Sequence, residues 1–254
     1  MRGLFFFLTI PADLLFRDFS IFIKSKMRNL TLILFCSFST AQLFSQELAQ
    51  IKFESGSNFS GFSLITDGNL LIRFSTTGNI IDWGTEEQSF RNPSYFSPKL
   101  LPYSGRVDYY GKEADSAFIG KIKSIGSCQF SYFGTFEDKS KRGRLKSAGR
   151  LIFDYYSDFD LKELQGKIKM MGSQLLTYFP SYSDMAYGGK LKSVGNTSVS
   201  YYSSFDDKAI KGKIKSIGGI QYAWYTSYDV NYGPGSLKNA QYRQLIAGIT
   251  YIVQ

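Results

Sequence analysis

Glycine recurs at an unbroken interval of 23 residues through the second half of this 254-residue chain. The series is Gly120, Gly143, Gly166, Gly189, Gly212 and Gly235. The first five glycines open nearly the same string, which reads GKIKSIG, GRLKSAG, GKIKMMG, GKLKSVG and GKIKSIG, and the sixth opens the degraded GSLKNAQ. A fixed period of this size means that each repeat is one supersecondary unit, which buries its apolar face only against its neighbours.

A single repeat has the pattern of a β-hairpin. In residues 189–211, Lys190 and Lys192 are predicted to point one way and Leu191 and Ser193 the other, since a strand has a period of two. A Gly-Asn pair then predicts a tight turn. The polar run that ends the repeat predicts a second turn into the next glycine.

The second half of the same repeat predicts another strand, from Ser198 to Phe205, with Tyr201 and Phe205 on one face. Consecutive hairpins make a meander. The chain is therefore predicted to be all-β: a meander of 23-residue β-hairpin repeats that forms an elongated, twisted antiparallel sheet.

Aromatic residues recur in phase with the glycines and predict the packing of the sheet. One aromatic column is Tyr132, Tyr155, Tyr178, Tyr201 and Trp224. A second is Phe136, Phe159, Tyr182, Phe205, Tyr228 and Tyr251. Further rings directly follow the first column and point oppositely, so both faces carry large side chains. Two arrangements stay open: a single-layer sheet, or a sheet coiled enough to enclose one face.

Residues 97–254 are predicted to be the repeat array, with a diverged repeat at 97–119, repeats starting at 120, 143, 166, 189 and 212, and a closing cap at 235–254. In the diverged repeat only the second half is in phase, because Pro98 and Pro102 cannot donate to a ladder. Residues 42–96 contain strand-like runs separated by turn signals and predict an N-terminal β cap.

The amino-terminal segment has the pattern of an export signal. From Met27 a basic residue, an apolar run and the small residues Ser39 and Ala41 predict a signal peptide over 27–41. Residues 1–26 would then precede a complete signal, and we interpret them as an upstream extension that arises from a mis-assigned start. The mature chain is expected to have no membrane span and to reside in the periplasm, associated with the outer membrane through a partner; the cell surface is the alternative.

The chain has no histidine, which removes the commonest general base and metal ligand. Its acidic clusters, such as Glu137-Asp138 and Asp206-Asp207, lack the ligand spacing of a calcium loop and are interpreted as turn formers. Cys128 is the one thiol of the predicted mature chain, which excludes an intrachain disulfide there. We therefore predict a non-enzymatic protein with no catalytic residues, no metal and no cofactor.

A lysine row is the sharpest candidate interaction feature. It consists of Lys123, Lys146, Lys169, Lys192, Lys215 and Lys238. Such a row could track an acidic protein surface or a polyanion. The alternative is a solvated face whose lysine stems cover neighbouring rings and discourage aggregation. The chain has a net charge of +9, but nucleic acid is not expected as a partner because an exported protein meets little of it.

The glycine-punctuated, aromatic hairpin period resembles that of membrane-occupation-and-recognition-nexus (MORN) repeats, although GKIKSIG followed by a YY pair departs from their consensus. The resemblance implies a long stack of hairpins and nothing about ligands. Residues 97–254 are also similar to exported repeat proteins of Flavobacterium-type bacteria (Bacteroidota). Because those bacteria use a type IX secretion translocon, this resemblance implies an accessory or plug subunit of that machine.

The expected function is thus a structural and protein-interaction module of the bacterial envelope that docks through its extended sheet. The runner-up is a periplasmic or surface binder of polyanionic or glycan material along a face formed by the lysine row and the tyrosine column.

Overall fold

The computed structural model describes residues 47–66, 68–86, 100–239 and 241–254, and their regular elements are all β-strands. The predicted signal peptide and the segment before it lie outside these residues. The strands follow one another as antiparallel hairpins for most of the chain. The predicted all-β class and meander order are confirmed.

The first five strands of the described residues lie outside the regular repeats. They are β1 (Glu47–Glu54), β2 (Asn58–Ile65), β3 (Leu71–Ser75), β4 (Ile80–Glu86) and β5 (Leu100–Pro102). They pair antiparallel in chain order, and their buried side chains include Ile51, Phe62 and Phe74.

The repeats supply the next eleven strands. They are β6 (Val107–Tyr109), β7 (Ile122–Ile125), β8 (Cys128–Tyr132), β9 (Leu145–Ala148), β10 (Leu151–Tyr155), β11 (Ile168–Met171), β12 (Gln174–Tyr178), β13 (Leu191–Val194), β14 (Thr197–Tyr201), β15 (Ile214–Ile217) and β16 (Ile220–Gln221). They form one eleven-stranded sheet in strict chain order. The diverged repeat contributes β6 to this sheet and β5 to the other.

Two-residue turns close the hairpins. In β13–β14, Val194 pairs with Thr197, and Gly195 between them has a φ of 54°. Two-residue hairpin turns require a positive φ at the first central residue, which glycine adopts at no steric cost. The second strand stops at Tyr201 and does not reach Phe205 as predicted, because the chain turns away into a loop after the aromatic pair.

The last two strands leave the repeat sheet. β17 (Arg243–Ile246) and β18 (Ile249–Val253) form a hairpin, and β18 pairs in parallel with β1. The resulting seven-stranded sheet has the order β17-β18-β1-β2-β3-β4-β5. The segments expected to form an N-terminal cap and a closing cap therefore share one sheet instead of lying at separate ends of the array.

The two sheets pack face to face through aromatic rings. Phe62 and Phe74 of the seven-stranded sheet contact Phe153 of the repeat sheet, with ring centroids 5.5 and 6.1 Å apart. Phe74 also contacts Phe130 at 6.3 Å. Of the two arrangements left open by the sequence, neither is adopted: a second sheet covers one face of the repeat sheet. We call the covered face the inner face and the opposite one the outer face.

Candidate functional site

β-Bulges direct the lysine row to the outer face. We call Lys123, Lys146, Lys169, Lys192, Lys215 and Lys238 the outer lysine row. In β15, Ile214 pairs with Tyr201 and Ser216 with Ser200, so Lys215 is the extra residue of the bulge. The same register shift recurs at the four preceding lysines. Because a bulge re-aims side chains, the lysine and the residue after it, which is Met170 in one repeat and serine in the other four, both reach the outer face. The strict alternation predicted from the sequence is therefore corrected.

Aromatic rings lie beneath the outer lysine row. Each ammonium group sits over a ring of the preceding hairpin, at distances from 5.1 Å (Lys238 to Tyr225) to 5.9 Å (Lys123 to Tyr110). Such cation–π contacts hold an ammonium group at the surface while the lysine stem covers the ring. Lys169 is half-buried and the other five lysines are exposed.

Hydroxyl groups form a polar ladder beside the outer lysine row. The side-chain oxygens of Ser200 and Ser216 lie 2.5 Å apart, and those of Thr177 and Ser193 lie 2.6 Å apart. Ser193 was predicted to face the same way as Leu191, but Leu191 is buried in the core. The outer face therefore combines ammonium groups, hydroxyl groups and partly covered rings.

The predicted tyrosine column lies on the inner face. Its members are Tyr132, Tyr155, Tyr178, Tyr201 and Trp224, and all are buried or half-buried. The Tyr201 hydroxyl donates to the carbonyl of Leu191 at 2.9 Å, and the Trp224 indole N–H donates to that of Ile214 at 2.6 Å. The lysine row and this column were expected to share one binding face, and the structure places them on opposite faces.

A second row of cations lies on the inner side. We call Lys121, Arg144, Lys167, Lys190 and Lys213 the inner cation row. Each cation lies over a ring of the tyrosine column, at 4.6 to 5.5 Å. Lys167 donates to the carbonyl of Gly189 at 2.9 Å, and Lys190 donates to that of Gly212 at 2.7 Å.

Burial lowers the pKa of every lysine in the inner cation row, because the charged form loses hydration. Sequence reasoning placed Lys190 on the same side as Lys192. The signal that could have separated them is position: Lys190 directly follows the period glycine and precedes β13, so the pleat does not govern its direction.

The second predicted aromatic column is a row of exposed rings. Phe136, Phe159, Tyr182, Phe205 and Tyr228, which we call the aromatic ridge, are each at least 84% exposed. They occupy the loops that connect consecutive hairpins, all at the same end of the strands. Equivalent positions lie two strands apart, or about 9–10 Å. The sixth predicted member, Tyr251, is instead fully buried in β18.

Carboxylates fix the loops that carry the aromatic ridge. Asp206 accepts from the backbone N–H of Ser203 at 2.6 Å in its own loop. Asp207 accepts from the backbone N–H of Ser227 in the next loop at 2.9 Å. Hydrogen bonds from the Ser227 hydroxyl and from backbone N–H groups hold the pKa of Asp207 below its ordinary value. The interpretation of Asp206 and Asp207 as turn formers is confirmed.

Comparison of the chain with protein-family models, with curated proteins and with solved structures finds no match in any of the three. Within the described ranges, no group of three or more Cys, Asp or Glu side chains is placed to hold a metal ion. Nor does the described part of the chain contain a helix long and apolar enough to cross a bilayer. The features of the described residues that bear on function are therefore the outer lysine row, the inner cation row and the aromatic ridge, together with the two sheets that position them.

Proposed function

We propose that this protein is a non-enzymatic interaction module that docks through the outer face of its repeat sheet onto an acidic protein surface of the bacterial envelope. One observation carries the proposal: the β-bulges of successive repeats each place a lysine ammonium group on the outer face, above an aromatic ring. Charge complementarity of this kind steers association and fixes register. Since Lys238 also pairs with Asp229 at 3.3 Å, the charge at that end of the row is partly neutralised.

The aromatic ridge supplies the apolar part of the proposed interface. Exposed large rings concentrate binding energy in protein interfaces. Because carboxylates already order the loops, little conformational entropy would be lost when a partner covers the ridge. Phe136, Phe159 and Phe205 are the rings best placed as anchors, since all three are more than nine-tenths exposed.

The finer proposal concerns the partner. An outer-membrane translocon of the type IX system would be contacted by this protein as a periplasmic accessory or plug subunit. The predicted signal peptide and the resemblance to exported Flavobacterium-type repeat proteins support this assignment.

Co-purification from detergent-solubilised membranes of the source bacterium tests the proposal. We expect a stoichiometric outer-membrane protein to be retained by the wild-type chain. The double variant Lys169→Glu/Lys192→Glu should lose it, because two neighbouring charges of the outer lysine row are reversed. The matched control Lys112→Glu/Arg150→Glu reverses as many charges at exposed turn positions whose loops carry no ring of the aromatic ridge, and it should retain the partner. Equal retention by both variants would overturn docking through the outer face.

A second candidate function is binding of a polyanionic glycan along the outer lysine row. It is favoured by the repeat of one ammonium group about every 9–10 Å, two strands apart. Retention on an acidic polysaccharide column, lost in Lys169→Glu/Lys192→Glu and eluted by salt, would support it over protein docking. Retention that the double variant leaves unchanged would remove it.

A further inference from the structure

A groove separates the two sheets beside the inner cation row. It has a volume of about 320 Å³ and is lined from the repeat sheet by Arg144, Lys167 and Lys190. The seven-stranded sheet contributes Asn58 and Phe59 from the start of β2 and Thr77 from the turn after β3. This volume lies at the lower end of the range for small-molecule sites, which commonly form where two structural layers meet. We call it the inter-sheet groove.

The charged residues that line the inter-sheet groove are all positive. Three cations line it, and no lining residue is a carboxylate among the described ones. Burial lowers the pKa of Lys167, and Glu163, which opposes this shift, does not line the groove and already accepts from the backbone N–H of Ser181 at 3.3 Å. Cations that are partly removed from water are normally paired with an anion. Among the described residues these three cations therefore have no carboxylate partner in the groove, which suits it to an anionic ligand.

The cations are held in place and retain donor capacity. Lys167 has three N–H groups, of which one donates to Gly189 among the described contacts. Arg144 has five, and it donates to the carbonyls of Ser140 at 2.5 Å and of Thr77 at 3.3 Å. These backbone bonds orient both side chains without neutralising them. An oxyanion could take up the remaining donors without rearranging the site.

The other residues that line the groove favour a ring-shaped ligand with polar groups around the ring. Phe59 and Tyr178 are half-buried and line it with apolar surface. The Tyr178 hydroxyl is already engaged, because it donates to the carbonyl of Ile168 at 2.9 Å. The Asn58 side chain is placed to hydrogen-bond a polar rim, whereas the Thr77 hydroxyl already contacts the Ser75 hydroxyl at 2.8 Å and accepts from the Asn79 side chain at 3.2 Å.

From this combination we infer that the inter-sheet groove binds an acidic saccharide, with its oxyanion on Lys167 and Arg144 and its ring against Phe59. The site is separate from the outer face, so it neither requires nor excludes the docking proposed above. Its ligand is a small molecule, whereas the outer lysine row is suited to an extended partner.

Amide-shift titration of the full chain by NMR tests the inference with three probes. Glucuronate supplies both the ring and the oxyanion, glucose supplies the ring alone, and inorganic sulfate the oxyanion alone. We expect saturable shifts at the groove with glucuronate, weaker ones with sulfate and none with glucose. Equal binding of glucose would overturn the role of the cations. Sulfate binding as tight as that of glucuronate would overturn the sugar assignment.

Lysine variants provide the matched comparison. Lys121 holds the same repeat position as Lys167, over the same kind of ring, but does not line the groove. Lys167→Met should weaken glucuronate binding by about tenfold or more, because a charge-assisted hydrogen bond is lost. Lys121→Met should leave it unchanged. Equal weakening by both variants would overturn the site.

Arg144→Gln is the second test, should Lys167→Met fail to fold. It should also weaken glucuronate binding, and unchanged binding would count against the site. Neither groove variant should affect co-purification of an outer-membrane partner. The failure of one proposal is therefore distinguishable from the failure of the other.

Discussion

Two rows of cations run along the repeat sheet only two residues apart in each repeat, yet they meet opposite environments. Lys190 lies over the buried ring of Tyr201, on the side of the second sheet. Lys192 lies over Phe179 on the outer face, where it is exposed. Both residues are lysines, but Lys190 directly follows the glycine turn at Gly189 whereas Lys192 lies in a bulge, so their side chains take different directions. The comparison indicates that backbone register decides whether a lysine serves the structure or remains available to a partner.

The largest expected difference concerns the rings under the two rows. Tyr201→Ala should lower the free energy of unfolding by about 3–5 kcal/mol, because a buried ring is replaced by a cavity. Tyr202→Ala, its neighbour on the outer side, should cost clearly less since that ring is half-buried. Urea unfolding of both variants measures the difference. Equal costs would mean that the outer face is packed as tightly as the inner one.

A smaller difference is expected for the lysines themselves. Lys190→Ala should cost about 1–2 kcal/mol, because its bond to Gly212 and its cover over Tyr201 are lost. Lys192→Ala should stay within about 0.5 kcal/mol of wild type, as exposed substitutions do. Thermal unfolding of Lys190→Ala and Lys192→Ala measures the difference in stability. A larger loss in Lys192→Ala would reverse the assignment of the two rows.

The free energy of unfolding at alkaline pH tests whether the Tyr222 hydroxyl is buried on the inner face. Burial raises the pKa of Tyr222 to about 12 from its ordinary 10.0, since the ionised form is desolvated. A raised folded pKa gives stability that is present below pH 10 and lost as pH rises toward 12. Wild type should therefore lose about 1 kcal/mol more than Tyr222→Phe between pH 9 and 11.

Wild type and Tyr222→Phe both contain the lysines of the inner cation row. Their lowered pKa values act in the opposite direction but cancel in the difference. Parallel stability curves for wild type and Tyr222→Phe would contradict the burial of this hydroxyl.

The smallest expected effect on stability is at the aromatic ridge. Phe205→Ser should change the free energy of unfolding by less than about 0.5 kcal/mol, because the ring is 96% exposed. The same variant should reduce retention of the outer-membrane partner in co-purification. A large loss of stability would mean that the ring is covered by other parts of the chain and is not an interface residue.

The sequence was sufficient for the hairpins but not for the direction of individual side chains. Glycine spacing predicted the turns because only glycine accepts the required φ without cost, as at Gly195. The bulge at Lys192 depends on how two strands pair, which no single repeat encodes locally. Phe205 was assigned to a packed strand because its period matched the core. The strand ends four residues earlier, and a ring in a loop has no sheet to cover it.

The second sheet was beyond sequence reasoning for a different reason. Strands β1 and β18 come from opposite ends of the described chain, and their parallel pairing has no turn signal to predict it. The outer lysine row was identified from the sequence as a candidate interaction feature, and five of its six members are exposed, but the inner cation row and its groove depend on the second sheet. Both were therefore missed.

The parallel pairing of β1 with β18 also has a kinetic consequence. Gln50 pairs with Thr250, so this contact closes a loop of about 200 residues, whereas each repeat hairpin closes over a few. Non-local pairings are slow because chain entropy is lost before the contact is gained. The repeats can form hairpins as they emerge, but the aromatic layer between the sheets can be sealed only after the last strand arrives. Folding of this protein should therefore have a late, concerted step in which the two ends of the described chain meet.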